Sequence, residues 1–263
     1  MALTVATWNI NSLRLREGLV RRFLADAGPD ILCLQELKGQ VEKLPLDAFA
    51  DLGYRWHVVR AQKGYNGVGI LARQPIEDAG HHDFCAMGDA RHVAARLENG
   101  VVIENYYVPA GGDEPDPAKN PKFDHKLRFL REMAQRFEAA PPSRTILVGD
   151  LNIAPGKEDV WSHKQLLTVV SHTPIEVEHL SAVQASAGWQ DVLRTHTPEG
   201  KLYSWWSYRA RDWDASDKGR RLDHVWATSD LIGQAVSSEI LRPVRGWEKP
   251  SDHVPVLARF DFG

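Results

Sequence analysis

Cysteine is nearly absent: Cys33 and Cys85 are the only two in 263 residues. Two cysteines cannot build a disulfide framework, and without a Cys-x-x-Cys pair a thiolate-held structural zinc is excluded as well. Long apolar runs are missing too. The longest, Gly67–Ala72, falls far short of the ~20 residues a membrane span requires. The first residues lead directly into Leu3-Thr4-Val5-Ala6-Thr7-Trp8, with no basic segment or small-residue cleavage site. A reducing, cytoplasmic setting without a membrane partner is the expectation. An excess of one charge is also lacking: 32 Lys and Arg stand against 35 Asp and Glu, a net −3, so the global balance does not announce a polyanionic partner. Gly (20) and Pro (15) are near average usage and charged residues are 25%, which excludes collagenous, low-complexity and disordered chains.

What is present is enough chain to bury roughly 70–75% of its unfolded surface. Short apolar runs alternate with helical patterns, the signature of an α/β fold. Strands are expected at Leu3–Trp8, Ile31–Leu34, Tyr54–Val59, Val68–Ala72 and Thr145–Val148, and later at Tyr203–Tyr208, Leu222–Ala227, Ser238–Leu241 and Val254–Phe260. His92–Leu97 and Val101–Val108 flank Asn99-Gly100, a strong hairpin signal, so antiparallel pairing is expected beside any parallel pairing. Helices are expected after Asn11 or Ser12, over Phe123–Phe137 and over Glu176–Ala187. No linker divides the chain, and residues 1–263 read as one domain.

Local charge is less even. Lys119–Arg131 carries Lys119, Lys122, Lys126, Arg128 and Arg131 against Asp124 alone, and Lys201–Asp223 carries six basic against four acidic residues. Such strips suit a site that holds both a cation and a phosphate.

Four apolar runs end in acids or amides: Asn9-Ile10-Asn11, Gln35-Glu36, Asp150-Leu151-Asn152 and Ser251-Asp252-His253. Residues two apart share a strand face, so Asn9 projects with Asn11 and Asp150 with Asn152. If these ends meet at one rim they form a cluster of carboxylates, carboxamides and an imidazole. Hard oxygen donors of that kind suit Mg²⁺ or Mn²⁺ and not Zn²⁺.

These segments also carry a specific resemblance. Thr7-Trp8-Asn9-Ile10-Asn11-Ser12-Leu13-Arg14, Leu34-Gln35-Glu36, Asn105-Tyr106-Tyr107-Val108-Pro109, Val148-Gly149-Asp150-Leu151-Asn152, Arg221-Leu222-Asp223 and Ser251-Asp252-His253-Val254-Pro255-Val256 resemble the signatures of the exonuclease III and apurinic/apyrimidinic endonuclease family, in the same order. The resemblance implies a four-layer α/β sandwich: two mixed, mostly antiparallel β-sheets packed face to face and flanked by helices. It implies a Mg²⁺-dependent hydrolase, with Mn²⁺ able to substitute, that cuts duplex DNA 5′ to abasic sites and trims or unblocks 3′ ends. No obligate protein partner is implied, and a monomer is expected. Other phosphoesterases with a related core, of the DNase-I type, are the alternative. A nucleic-acid binding module without catalysis is a second, which the acidic cluster argues against.

Carried over by motif, Glu36 would bind the metal with Asn9, Asn11 and Asp252 in support. Asp150 would activate water or help hold the cation, and Asn152 would orient the nucleophile or phosphate. His253, backed by Asp223, would contact the scissile phosphate and is also a candidate ligand, with Tyr107 on the other side. An Asp behind a His favours the protonated ring, which is the form that clamps phosphate. Trp205 and Leu222 would line a pocket for a flipped-out abasic sugar, and Arg91, Lys218 and Asn11 would contact DNA. Trp205 and Trp206 point opposite ways, so one of them must be core. Two features depart from the family pattern. Asp217 replaces an Asn near the phosphate and would need Lys218 or Arg220 to compensate it. The Ala110–Pro121 insert brings Asp113, Glu114 and Asp116 near Tyr107.

Overall fold

The computed structural model describes residues 2–263. In chain order the elements are β1 (Ala2–Asn9), α1 (Leu13–Asp26), β2 (Ile31–Gln35), β3 (Trp56–Arg60), β4 (Val68–Ala72), β5 (Ile76–Gly80), β6 (His92–Leu97), β7 (Val102–Tyr107), α2 (Pro121–Ala139) and β8 (Thr145–Asp150). There follow α3 (His163–Leu166), α4 (Pro174–Ser186), β9 (Gln190–Asp191), α5 (Val192–His196), β10 (Trp205–Trp206), α6 (Trp213–Ser216), β11 (Gly219–Arg220), β12 (Asp223–Ala227), β13 (Ala235–Ile240) and β14 (Val256–Asp261).

Two six-stranded sheets form, ordered β13-β14-β1-β2-β4-β3 and β5-β6-β7-β8-β12-β9, while β10 and β11 pair as a separate ribbon. Most pairs are antiparallel. The exceptions are β1 with β2 and β7 with β8, each parallel pair joined through a helix, α1 or α2. Such a crossover is what a parallel pair requires.

The central strands read as unbroken apolar runs because both their faces are buried. Leu3 and Val5 of β1, Ile31 and Cys33 of β2, and Ile146 and Val148 of β8 fill the core between the sheets. Their alternates leave that core in opposite directions. Ala6, Trp8, Leu32 and Leu34 pack outward with α1, and Leu147 packs outward with Phe129, Leu130 and Met133 of α2 and Leu180 of α4. The arrangement is four layers: helix, sheet, sheet, helix. No helix among the described residues is long and apolar enough to cross a membrane.

Two expectations need revision, and one strand was not foreseen. Tyr203–Tyr208 is strand only at Trp205–Trp206, since its partner is the short Gly219–Arg220 and not a sheet. The half-polar β5, with no apolar alternation, was not legible as a strand. In the β6–β7 turn only Gly100 has positive φ (81°), with Leu97 bonded to Val101, so the loop is one residue longer than the two-residue turn that Asn-Gly suggests.

The start of β12 is held by a buried ionic cluster. Asp159 accepts from Arg221 Nε and Nη2 (2.8 and 3.0 Å) and from Arg194, while Arg221 Nη1 reaches Asp191 at 2.6 Å. Burial alone would raise the Asp159 pKa, but Arg221 and Arg194 outweigh it and hold the carboxyl at about 2. A depressed carboxylate stabilises the fold above its unfolded pKa, and that contribution is lost as pH falls through the folded value. The expected contribution is about 2 kcal/mol at neutral pH. The stability gap between wild type and Asp159→Asn, read by urea unfolding, should therefore narrow between pH 4 and pH 2. A gap that stays constant over that range would remove Asp159 from this role.

Candidate active site

Both parallel pairs deliver their C-terminal ends to one rim. Asn9 ends β1, Glu36 follows β2, Tyr107 ends β7, and Asp150 ends β8 with Asp223 of β12 directly across the ladder from it. His253 arrives from the segment before β14, fixed by an isolated bridge to Trp205 and by Trp8 Nε1, which donates to its carbonyl at 3.0 Å. The chain turns sharply just past these strand ends: Asn11, Glu36 and Asn152 have φ of 49°, 53° and 54°. Non-glycine residues seldom adopt this left-handed conformation, and where they cluster the surroundings must enforce it. Gly149 has a different necessity. A Cβ there would lie 2.0 Å from the Tyr106 carbonyl on β7, so only glycine lets β8 approach.

The side chains form one connected network. Asn9 Nδ2 donates to Glu36 Oε1 and to Asp150 Oδ2, both at 2.9 Å, so one amide bridges two carboxylates. The Tyr107 hydroxyl donates to the same Glu36 oxygen at 2.9 Å, and Lys38 pairs with Glu36 Oε2 at 2.6 Å. Asp150 Oδ1 accepts the Asn152 backbone N–H at 2.9 Å, while Asn152 Nδ2 donates to Val108 O and to Asp150 Oδ2. His253 Nδ1 is 2.8 Å from Asp223 Oδ2, and its Nε2 is 3.6 Å from Asp150 Oδ2.

Burial sets the electrostatics. It raises Asp150 to about 7 despite the opposing charge of His253. Burial would lower His253, but Asp223 and Asp150 on either side raise it to about 10. The ring between them is an imidazolium. Tyr107 is pushed well above its ordinary value by burial and by the Glu36 and Asp150 charges, so its hydroxyl is a donor and not a phenolate.

These residues open on a cleft of about 730 Å³ whose wall includes Trp205, Leu222, Trp161, Arg209, Lys218 and Arg220. Trp205 is half-buried there, its Nε1 donating to Asp252 Oδ2 at 3.0 Å and Arg220 stacked on its ring at 5.2 Å, whereas Trp206 is core. Asp252 spends its other oxygen on Asn11 Nδ2 (3.3 Å), and Asn11 Oδ1 accepts from Lys38 at 2.5 Å, so Asn11 sits at the rim. Arg91 does not line the cleft. It pairs with Asp89, donates to the Tyr107 carbonyl at 3.3 Å and stacks on the Tyr107 ring at 4.9 Å. Lys218 does line it, held over Trp161 at 4.7 Å.

Asp217 is a correction to the sequence reading. It takes no compensation from Lys218 or Arg220 and points away from the cleft. It accepts from Trp206 Nε1 (3.1 Å), Lys201 (3.3 Å) and Arg242 (3.4 Å) beside a separate cavity of about 360 Å³. Its left-handed backbone (φ 42°) carries the chain round to that side.

Two carboxylates held on one amide, one of them with its pKa raised by burial, are a donor set that fits a hard divalent cation. Glu36 and Asp150, with the Asn9 and Asn152 amides, would hold it where the cleft reaches them. Asp150, Asp223 and His253 also bring ligand atoms within 4.8 Å of one another. There, however, the imidazole is already hydrogen-bonded to Asp223 and carries its own proton.

Three groups of residues support the site in roles the sequence did not reveal. Ser204 Oγ donates to Asp223 Oδ2 at 2.6 Å and accepts the Leu222 and Asp223 backbone N–H groups. Gln35 Nε2 reaches across the inter-sheet core to Asn105 Oδ1 at 2.7 Å, while Asn105 Nδ2 satisfies the Leu34 and Gly69 carbonyls. Lys126, counted above among the basic strip, is fully buried and ion-paired with Glu176 at 2.5 Å while donating to Asn152 O at 2.8 Å. Its position with Phe123 and Leu130 on one helical face was a usable signal, as was Glu176 closing the capping box that starts at Thr173. Removing one member of a buried pair strands the other, which costs about 3–5 kcal/mol. Lys126→Met should lower Tm by roughly 10 °C; a shift under 2 °C in a thermal scan would contradict the pairing.

Residues 6–253 match the profile of the Endonuclease/Exonuclease/phosphatase family. The chain belongs to this family. Among curated members it is 30% identical to exodeoxyribonuclease III of Haemophilus influenzae over 97% of this chain and 98% of that protein. Among solved structures of the family, an AP endonuclease from Archaeoglobus fulgidus superposes with a TM-score of 0.91 at 31% identity, covering 98% of this chain and 99% of that one. A 3′ phosphatase from Neisseria bound to a product DNA hairpin gives a TM-score of 0.89 at 32% identity, covering 99% and 100%. Agreement over the full length of both chains places the four-layer α/β sandwich beyond the level of local motifs.

Proposed function

We propose that the protein is a Mg²⁺-dependent DNA-repair nuclease, with Mn²⁺ able to substitute. It hydrolyses phosphodiesters 5′ to abasic sites and removes 3′ nucleotides or 3′ blocking groups from duplex DNA. The observation that carries this reading is the Asn9-bridged Glu36–Asp150 pair beside the Asp223–His253 pair, at the floor of a cleft walled by Trp205, Leu222 and three basic side chains. The names of the full-length relatives support the same reading.

The cation would supply charge neutralisation on the non-bridging phosphate oxygens and a polarised oxygen. The remaining work falls to the chain. Asp150, held by Asn9 and Asn152 and lining the cleft, is placed to accept a proton from the attacking water. Asn152 keeps that carboxylate in place through two hydrogen bonds. His253 presents an imidazolium to the phosphate, and Asp223, fixed by Ser204, keeps it protonated. Tyr107 orients Glu36, with Arg91 behind its ring, so any part Arg91 plays in DNA contact is indirect. Trp205 and Leu222 offer an apolar wall where a nucleotide lacking its base could turn in, and flipping costs least where no base is stacked. The two buried, unpaired cysteines support a cytoplasmic, reducing location, and the protein is taken to act as a one-domain monomer.

The test is an end-labelled duplex with one central abasic-site analogue, incubated with Mg²⁺ or with EDTA. A single Mg²⁺-dependent cut immediately 5′ to the analogue is expected. Trp205→Ala should reduce that cut more than it reduces trimming of an ordinary 3′ end. Equal losses would mean that Trp205 lines no dedicated pocket, and absence of any cleavage by folded protein would overturn the nuclease reading.

A further inference from the structure

The cleft wall holds one charge that the proposed chemistry does not use. Asp113, in the loop after β7, lines the cleft and is exposed. Its acidic neighbours Glu114 and Asp116 are both neutralised by Lys119, at 3.8 and 2.9 Å. No cation pairs with Asp113 among the described residues. The other charged wall residues outside the Glu36–Asp150–Asp252–His253 cluster are Arg209, Lys218 and Arg220, all cationic and all from the segment around β10 and β11.

The loop that presents Asp113 is fixed. Lys126 Nζ donates to Ala110 O at 3.3 Å, and Asn120 Nδ2 donates to Gly111 O and Glu114 O at 2.9 and 2.6 Å. Asn120 is itself the N-cap of α2, accepting from Lys122 N–H. Gly111 and Gly112 both have positive φ (91° and 73°), and a Cβ at Gly111 would meet Lys126 and Val170 at 3.0 and 3.1 Å. The backbone on either side of Asp113 is therefore pinned to α2, so its Cα cannot leave the cleft wall without breaking these bonds.

We propose that Asp113 is a specificity-determining residue: a negative charge, carried on a pinned backbone, that disfavours a strand continuing past the scissile phosphate and so favours strand ends over internal sites. This rests on the nuclease reading above. An internal site places phosphates on both sides of the one being cut, and a terminal site on one side only. At physiological salt the Debye length is about 8 Å, so a wall carboxylate acts on the neighbouring phosphate and hardly on those further along. Asp113→Asn removes the charge and keeps the shape, and Asp113→Lys reverses it. Neither touches the packed core, because the side chain is exposed.

The experiment compares two duplexes, one with a central abasic-site analogue and one ending 3′ at the same residue, for wild type, Asp113→Asn and Asp113→Lys. The ratio of internal to terminal kcat/KM should rise about fivefold in Asp113→Asn and further in Asp113→Lys. For Asp113→Lys the salt dependence of internal cleavage should steepen by about one unit of log–log slope. Fluorescence anisotropy on the same DNAs in EDTA should show the same change in the ratio of affinities without relying on cleavage. Equal gains on both substrates would reduce Asp113 to general repulsion, and an unchanged ratio would remove it altogether; either overturns the proposal. A wild-type protein that neither binds nor cuts either duplex would overturn the nuclease reading and Asp113 with it. Cutting with an unmoved ratio leaves that reading standing and sinks the Asp113 assignment alone.

Discussion

Asp150→Asn is expected to lower kcat by about 10³–10⁴-fold while leaving affinity for the abasic duplex within about twofold. The carboxamide has nearly the same volume and still fits between Asn9, Asn152 and His253. It has no basicity, however, and one of its two former acceptor positions becomes a donor facing Asn9 Nδ2 or the Asn152 N–H. The loss therefore falls on the chemical step, and DNA contacts made by the cleft wall survive. Single-turnover cleavage and anisotropy on one substrate separate the two effects. Turnover near the wild-type level would remove Asp150 from the reaction, and a parallel loss of binding would recast it as structural.

Metal removal should have a comparable effect by a different route. With EDTA, cleavage is expected to fall by at least 10³-fold, since a divalent cation at a phosphoryl centre is worth several kcal/mol and each 1.4 kcal/mol is a factor of ten. Glu36→Gln should raise the Mg²⁺ concentration for half-maximal activity by at least tenfold, and excess Mg²⁺ should recover much of the rate. Glu36 is the carboxylate gripped on three sides, by Asn9, Tyr107 and Lys38, and it lines the cleft from a left-handed backbone position (φ 53°). Isothermal titration of Mg²⁺ into the wild type and Glu36→Gln checks the assignment without any turnover. Identical isotherms would move the cation away from Glu36 and toward the Asp150–Asp223–His253 cluster.

The strand ends were legible because of a conflict inside the sequence. Runs such as Thr145–Val148 are too apolar to leave the core, yet they finish in Asp150 and Asn152, and a carboxylate at such a point must lie at a rim. The same logic found Asn9, Glu36 and Asp252-His253. The α/β class was legible from apolar runs alternating with helical periods, the antiparallel component from the Asn99-Gly100 hairpin, and the layering only through the family resemblance. Legibility failed where partners are distant in the chain and chemically ordinary. Ser204 is one serine among many until its hydroxyl is seen under Asp223. Lys126 read as one more cation in a basic strip, though its place on the apolar face of α2 argued for burial. Asp217 read as a threat to DNA binding, and only its turn onto Lys201 and Arg242 shows that it faces elsewhere.

By itself, the order of apolar runs, helical periods and terminal acids determined an α/β chain and the inventory of reactive side chains, while six motifs in order carried the family resemblance and the four-layer sandwich it implies. These depend on local alternation and on residue type, and both are written along the chain. Only the tertiary structure decided which atoms of that inventory touch. It set one Asn9 amide between Glu36 and Asp150, the His253 ring between Asp223 and Asp150, and Asp113, unpaired among the described residues, on the same cleft as Arg209, Lys218 and Arg220. The physical reason is range. Pattern reports which face of an element is buried, whereas charge state and hydrogen bonding depend on ångström distances between residues as far apart as Trp8 and His253, which only the packing of the two sheets brings together.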